Sequence, residues 1–170
     1  MFDKKWRSFL LLPLIAVCVV AVDQLTKRAV VANLPPGQSW APLPVLDKWF
    51  SFTMVTNRGA AFGLFPGLGS VFMVVAIVVA VIITVYYWHM PAGHSLVKVS
   101  LGLQLGGALG NLIDRLRFGY VIDFIDFKVW PVFNLADISI VVGVALLAYA
   151  LLWEPGERDE SLPARKSGAV

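Results

Sequence analysis

The sequence has few of the residues that hold small soluble enzymes together or that usually serve as their nucleophiles. Its 170 residues include one cysteine and two histidines, and only 15% are charged. A single cysteine excludes an intramolecular disulfide and a cysteine metal cluster. We expect that residue, Cys18, to be a buried packing residue in the first apolar run. His89 and His94 flank a short connection containing Pro and Gly, which indicates an exposed loop rather than a metal site.

Strong charge of one sign is also missing. The net charge is +3, and the basic residues form no stripe with interleaved aromatics, so we predict no nucleic-acid partner. Hydrophobic residues, in contrast, make up 58% of the chain and occur in long blocks. This composition lies outside the range of soluble domains and predicts an integral membrane protein.

The blocks predict an all-α membrane protein, a four-transmembrane-helix bundle with a small β element outside the membrane. We expect one domain over residues 1–153, with spans at about 9–31, 67–88, 96–115 and 135–153. Alternation over residues 45–56 predicts a strand within a β and loop region at about 34–66. Residues 59–63 are interpreted as either a mobile lid or a fixed interfacial helix. Residues 154–170 are predicted to be a disordered tail.

Polar residues collect at the span ends that four antiparallel helices would bring together. They are Asp23, Lys27, Asn57, Asn111, Arg115, Asp123, Asn134 and Asp137. At about 1.5 Å per residue, Asp23 lies roughly 21 Å along its helix from Phe9, and Asp137 roughly 24 Å from Trp153. The two carboxylates are therefore predicted at similar depth, near one face of the membrane. Ionisable residues placed in this way are candidates for function.

The side of the membrane does not follow from charge, because seven basic residues fall on each side of the predicted bundle. The positive-inside rule favours cytoplasmic termini only if Lys27 and Arg115 are set aside as site residues.

Asp123 and Asp137 are candidates for a catalytic pair in which one carboxylate activates water and the other donates a proton. Two close carboxyl groups do not both ionise readily in a low dielectric. Spacing leaves alternatives open. Asp126 competes with Asp123, which can also be an exposed loop residue, and Asp137 can be a carboxylate at a helix N-terminus. Asp114 is expected at the membrane interface beside Arg115 or Arg117.

Supporting residues also have structural interpretations. Asp23 and Lys27 are four apart and can form a simple ion pair, and Asn57 and Asn134 can cap turns or helices. Gly102, Gly106 and Gly110 predict a small-residue ridge for close helix packing. Other function classes remain open at this point, namely a small transporter or proton channel with Asp23, Asp123 and Asp137 as a relay, and a non-enzymatic assembly factor.

Five motifs in order resemble the lipoprotein signal peptidase (signal peptidase II) family. They are Asp23-Gln-Leu-Thr-Lys27, Thr56-Asn-Arg-Gly-Ala-Ala-Phe-Gly63, Gly106-Gly-Ala-Leu-Gly-Asn-Leu-Ile-Asp-Arg115, Gly119-Tyr-Val-Ile-Asp-Phe124 and Phe133-Asn-Leu-Ala-Asp137. Each motif is weak alone, and the ordered set is specific.

The resemblance implies a membrane aspartyl endopeptidase that removes signal peptides from diacylglyceryl-modified prolipoproteins by cutting before the lipidated cysteine. It implies Asp123 and Asp137 as the catalytic pair, with no metal or cofactor. The supporting residues that it implies are Asp23, Lys27, Asn57, Gly59, Asn111, Arg115 and Asn134. It also implies a bacterial cytoplasmic (inner) membrane location, cytoplasmic termini, and an extracytoplasmic site and β element. We expect the partners to be lipid-modified prolipoproteins and membrane lipids, and the protein to act as a monomer.

Overall fold

Four long helices make up most of the chain in the computed structural model, which describes residues 2–59, 69–91 and 94–153, with side chains from Leu10 onward. The helices are α1 (Phe2–Asn33), α2 (Gly69–His89), α3 (Ser95–Phe118) and α4 (Leu135–Trp153). All four are long and apolar enough to cross a membrane. The predicted fold class, four spanning helices with a small β element, is confirmed.

Helix α3 is the central helix and packs against the other three. Its glycines allow this contact, since a Cβ on Gly106 would lie 2.6 Å from Val19 Cβ of α1. On another side of α3, a Cβ on Gly107 would collide with the Ala136 carbonyl of α4. Gly106 of the ridge thus lets α1 pack closely on α3, and the neighbouring Gly107 does the same for α4.

A three-stranded antiparallel sheet lies beyond the helix ends, in the order β1 (Ser39–Trp40), β2 (Ser51–Asn57) and β3 (Val121–Asp126). Phe52 pairs with Trp40 on one side and Ile125 on the other. Val55 pairs with Asp123 after an irregularity in the register. The sheet therefore joins the segment between α1 and α2 to the segment between α3 and α4.

Several expectations differ from the structure. The strand predicted over residues 45–56 begins only at Ser51, because Pro44–Leu46 forms a 3-10 turn. Strands β1 and β3 had no counterpart in the predicted elements. Cys18 is exposed on α1 rather than buried, so it faces outward from the bundle. The interpretations of residues 60–63 and of the tail at 154–170 concern positions outside the described residues.

Candidate active site

Asp123 lies in the middle of β3 and is only 3% exposed. Both of its oxygens accept hydrogen bonds from amide side chains. Asn134 Nδ2 donates to Oδ1 at 2.6 Å, and Asn57 Nδ2 donates to Oδ2 at 3.0 Å. The interpretation of Asp123 as an exposed loop carboxylate is wrong, because the sheet carries it into the protein.

Asp137 lies in the first turn of α4, and Asn134 precedes that helix. The two residues bond reciprocally, since the Asn134 N–H donates to Asp137 Oδ2 at 3.1 Å and the Asp137 N–H donates to Asn134 Oδ1 at 3.0 Å. This is the geometry of a capping box, with both side chains satisfying backbone donors at the helix start. Asn134 therefore caps α4 and also holds Asp123.

Asn111 of α3 completes the link between the carboxylates. Its Nδ2 donates to Asp137 Oδ1 at 2.8 Å, and its Oδ1 accepts from Asn134 Nδ2 at 3.1 Å. The same Oδ1 accepts from Lys27 Nζ at 3.0 Å. Asp123 and Asp137 are thus joined through two amide side chains that cannot change protonation state.

A cavity of about 640 Å³ opens in front of this network. Its polar lining consists of Asn57, Gly59, Asn111, Arg115, Asp123 and Asp137. The remaining walls are mostly apolar, with Phe72, Trp130, Ile138, Val141 and Val142 among them. A mainly apolar cavity with a few convergent polar groups is typical of a binding or active site.

The electrostatics of Asp123 differ from those of an ordinary surface carboxylate. Burial and the nearby charge of Asp137 raise its pKa from 3.8 to about 7, against the opposing effect of hydrogen bonds from Asn57 and Asn134. Its two oxygens already accept amide hydrogens, so a proton on Asp123 must occupy a remaining lone pair. A carboxyl group that is partly protonated at neutral pH can serve as a general acid.

A second group of carboxylates lies behind the cavity and is neutralised differently. Lys27 Nζ is 2.9 Å from Asp23 Oδ2 and 2.8 Å from Asp114 Oδ2, and all three side chains are almost completely buried. Gln24 Nε2 donates to Asp114 Oδ1 at 2.9 Å. The remaining contacts tie neighbouring elements together, since Asp23 Oδ1 accepts from the Ala136 N–H and Asp114 Oδ2 from the Ile122 N–H.

The structure brings the nine site residues of the sequence prediction together in two layers. Asn57, Gly59, Asn111, Arg115, Asp123 and Asp137 line the cavity, whereas Asp23, Lys27 and Asn134 lie behind it. Gly59 contributes its N–H, which donates to Asn57 Oδ1 at 3.0 Å. The guanidinium of Arg115 lies 5.9 Å from the centre of the Phe72 ring.

The structure gives the positions of two acidic residues that the sequence had placed elsewhere or left open. Asp114, expected at the interface beside Arg115 or Arg117, is instead 1% exposed and bound to Lys27. That expectation used neighbours in sequence and missed that α1 supplies the cation. Asp126, the rival of Asp123, lies outside the cavity and pairs with Lys128 at 2.8 Å.

Sequence reasoning assigned no site role to Gln24, although it lies inside the first motif, one residue after Asp23. The apolar walls from α2, α4 and the segment at 130–133 were also not assigned. Their residue types are those of any spanning helix, so only the fold distinguishes them. Among the described residues, no group of three or more His, Cys, Asp or Glu side chains has the arrangement of a metal site.

A family profile and the sequences of known proteins resemble this chain over most of its length. The profile of the family described as signal peptidase (SPase) II matches residues 15–153. The lipoprotein signal peptidase of Moorella thermoacetica is 51% identical over 145 residues, which is 85% of this chain and 95% of that protein. The lipoprotein signal peptidase of Halothermothrix orenii is 45% identical over 141 residues, 83% of this chain and 94% of that protein.

Solved structures resemble the fold as well. One, described as a bacterial membrane enzyme, superposes with a TM-score of 0.78 at 33% identity and covers 87% of this chain and 93% of its own. A second, described in the same words, has a TM-score of 0.75 at 34% identity, with coverage of 85% and 94%. The family match spans the helices, the sheet and both layers of polar residues, and on this basis the chain belongs to the signal peptidase II family of membrane proteases.

Proposed function

We propose that this protein is an aspartic endopeptidase that removes signal peptides from diacylglyceryl-modified prolipoproteins, cleaving before the lipidated cysteine. The observation that carries the proposal is the placement of Asp123 and Asp137 on one cavity, joined through Asn111 and Asn134. Among the residues that the structure describes, no serine, cysteine or histidine lines that cavity. Water activated by a carboxylate is therefore the attacking group that the site favours.

The two carboxylates have different environments, and these suggest their roles. Asp137 lies in the first turn of α4, at the positive end of the helix dipole, and we propose that it is the base. Burial and the charge of Asp137 raise the pKa of Asp123 to about 7, which favours a shared proton on Asp123.

In the proposed reaction, ionised Asp137 removes a proton from water, and the resulting hydroxide attacks the scissile carbonyl carbon. Asp123 donates its proton to the carbonyl oxygen, which gives a neutral tetrahedral gem-diol. Collapse of the gem-diol breaks the C–N bond. The leaving nitrogen takes the proton held by Asp137, and a hydroxyl proton returns to Asp123. The cycle balances without an added cofactor, and we propose that none is used.

The cavity walls fit the proposed substrate. Val141 and Val142 line the cavity and are exposed on α4, a membrane-spanning helix, so the cavity adjoins its lipid-facing surface. A peptide whose neighbouring residue carries two acyl chains can keep those chains in hydrocarbon while its backbone reaches Asp123 and Asp137. One chain supplies the polar network described above, and we propose that the protein acts as a monomer.

The sheet offers an edge for the extended peptide. Met54 exchanges backbone hydrogen bonds with Gly37 and Gln38, and β1 continues from there towards Phe52. In the described part of the chain, this edge of β2 is uncovered beyond Met54. Alternate residues of a strand direct their backbone groups to the same edge, so Thr56 faces the open side. We therefore extend the proposal to strand addition at Thr56, next to Asn57 on the cavity.

Thr56→Pro removes the backbone donor on this edge, whereas Thr56→Ala keeps it. Strand addition predicts that the proline variant has a higher KM for prolipoprotein than the alanine variant, with similar thermal unfolding. Equal KM values in two folded variants would contradict strand addition and leave the carboxylate mechanism intact.

We place the termini in the cytoplasm and the sheet on the outer side. Lys27 and Lys98 are buried and Arg115 is half-buried, so they do not act as free loop charges. Six basic residues then remain on the terminal side and five on the sheet side, a small bias towards cytoplasmic termini. Single cysteines at Lys48 and His94 in a Cys18→Ser background test this placement. On intact cells, an impermeant maleimide should label position 48 and spare position 94, and the reverse pattern would invert the topology.

The enzymatic proposal is tested with purified protein and a diacylglyceryl-modified preprolipoprotein. Asp123→Asn and Asp137→Asn should each lower the cleavage rate by about 100- to 10,000-fold, the usual contribution of a general acid or base. Asp126→Asn is the matched control, because Asp126 lies on the same strand but outside the cavity. Robust cleavage by either dyad variant would remove the assignment, as would an equal loss in the Asp126 variant.

The transporter alternative expects ionisable groups spread along a path through the membrane. The acidic groups instead gather at one end of the bundle, and α2 carries no Asp, Glu, Lys or Arg. No observation favours transport over peptide cleavage.

A further inference from the structure

A second cavity, of about 550 Å³, lies between the last turns of α1 and the sheet. Ala29 and Val30 form its helical side, and Trp40, Phe52 and Phe124 contribute one aromatic ring from each strand. Its volume is within the range of about 300–1,000 Å³ that is typical of small-molecule sites. We call this cavity the α1 groove.

The α1 groove is separate from the candidate active site. The two cavities share no lining residue. Phe124 lines the groove and its neighbour Asp123 lines the active-site cavity, and successive residues of a strand point to opposite faces of a sheet. The sheet therefore separates the two spaces, and the proposed substrate does not need the groove in order to reach Asp123.

The chemistry of the groove suits hydrocarbon. Its two polar side chains from α1 are Thr26 and Asn33, and both donate to carbonyls of their own helix. Thr26 Oγ1 donates to Val22 O at 2.9 Å, and Asn33 Nδ2 donates to Ala29 O at 2.7 Å. Within the described ranges, the groove lining contains no charged side chain. The Thr26 hydroxyl and one of the two Asn33 side-chain N–H groups are thus already used, and covering the apolar groove walls is the main source of binding energy.

The groove continues the lipid-facing surface of α1. Cys18, Val22 and Leu25 are exposed, and their spacing places them on the same side of the helix as Ala29. Trp40 at the other wall is about half exposed and stacks on Phe52, with ring centres 5.9 Å apart. Tryptophan is favoured at the membrane–water interface, where this end of α1 lies. An alkyl chain in contact with α1 can therefore enter the groove without crossing water.

From this continuity we infer that the α1 groove holds one acyl chain of a membrane phospholipid, as a lipid site distinct from the substrate site. The bound chain would fill the space between α1 and the sheet and support the face of β3 opposite Asp123.

The test uses the full chain in vesicles of phosphatidylcholine, some of which carries a diazirine at the end of one acyl chain. After irradiation, peptides are mapped by mass spectrometry. We expect label on residues 26–34 and on the strand residues Trp40 and Phe52. Ala29→Trp fills the groove and should abolish the label on the strands. Ala32→Trp introduces the same side chain on an exposed α1 position outside the groove and should leave that label unchanged.

Three results would overturn the inference. The first is equal strand labelling in the wild type and in a folded Ala29→Trp variant. The second is wild-type label confined to exposed α1 positions such as Leu25. The third is loss of wild-type label on adding a diacylglyceryl-modified lipopeptide, which would make the groove part of the substrate site. Val30→Trp fills the same space and replaces Ala29→Trp if that variant does not fold. Labelling requires no cleavage, so the outcome is independent of the proposed peptidase activity.

Discussion

Two groups of carboxylates lie side by side at one end of the helix bundle, and they differ in what balances their charge. Asp23 and Asp114 share the ammonium of Lys27 and accept backbone N–H groups from α4 and β3. Asp123 and Asp137 are held by amides and line a cavity. The first group is balanced by a buried cation, whereas the second is held by neutral amides beside a cavity that a ligand can enter.

The comparison separates carboxylates that hold neighbouring elements together from carboxylates that border a cavity. The ion-paired group joins α1, α3, α4 and β3, so it contributes mainly to the stability of the fold. The amide-held group borders the cavity, so under the proposed function it contributes mainly to reactivity. Substitutions in the two groups should therefore affect different measurements.

The largest expected effect on stability is in the ion-paired group. Lys27→Met leaves Asp23 and Asp114 buried without their cation, and removing one partner of a buried pair costs about 3–5 kcal/mol. Thermal or denaturant unfolding in detergent measures this loss. Lys128→Met is the control, because its pair with Asp126 is partly exposed and should contribute about 0–1 kcal/mol. Similar losses in both variants would contradict the scaffold assignment.

Asn134 belongs to both functions, and two variants separate them. Asn134→Ser keeps a cap for α4 but lacks the amide that donates to Asp123, so activity should fall with little loss of stability. A hydrogen bond to a charged group is worth about 1.5–3 kcal/mol, which corresponds to a decrease of about ten- to a hundredfold in kcat/KM. Asn134→Ala should lose the same activity and, in addition, about 1 kcal/mol of unfolding free energy. Wild-type activity in the serine variant would show that the amide does not position Asp123.

The pH dependence tests the proton on Asp123. Its pKa is raised to about 7 by burial and by the charge of Asp137, so a general acid at this position is lost as pH rises through 7. Above that pH, kcat/KM should fall by about tenfold per unit, the factor by which the protonated fraction decreases. A rate that stays constant to pH 9 would contradict the role of Asp123 as the acid.

The same pKa has a consequence for folding. The folded-state pKa is above the unfolded value of 3.8, so the contribution of Asp123 to stability is complete below about 3.8 and is lost as pH rises through about 7. Asp126 behaves oppositely. Burial opposes its ionisation, but hydrogen bonds from Lys128 and Thr53 outweigh this and lower its pKa, so its contribution is lost as pH falls. Between pH 5 and 9, Asp123→Asn should become more stable relative to the wild type, and Asp126→Asn should not.

The smallest expected effect is a shift rather than a loss. Asn57→Ala removes one of the two amides that stabilise ionised Asp123, which should raise its pKa further. A hydrogen bond to a charged group corresponds to about one to two pH units, so the alkaline limb should move upward by up to that amount. Arg58→Ala, at the exposed neighbouring position, is the control. A downward shift in Asn57→Ala would contradict the amide-held description of Asp123.

Much of this arrangement can be predicted from the sequence. Apolar block length predicts the four helices, and the polar residues at their ends predict one shared location. The family motifs separate Asp123 from Asp126, which spacing alone leaves open. Strand β3 is harder to predict, because both its faces are buried and its run of Val, Ile and Phe with two aspartates lacks polar–apolar alternation. The Lys27–Asp114 pair joins residues 87 positions apart and follows only from the packing of α1 on α3.

The reciprocal bonds between Asn134 and Asp137 link the start of α4 to the carboxylates of the cavity. The turn that initiates α4 is the same turn that orients Asp137 and anchors Asp123, so assembly of the proposed catalytic pair depends on the folding of the last helix. During folding, Asp123 and Asp137 are brought together only once α4 has formed against α3. Fraying of the first turn of α4 would separate them and lower activity before the helix bundle unfolds.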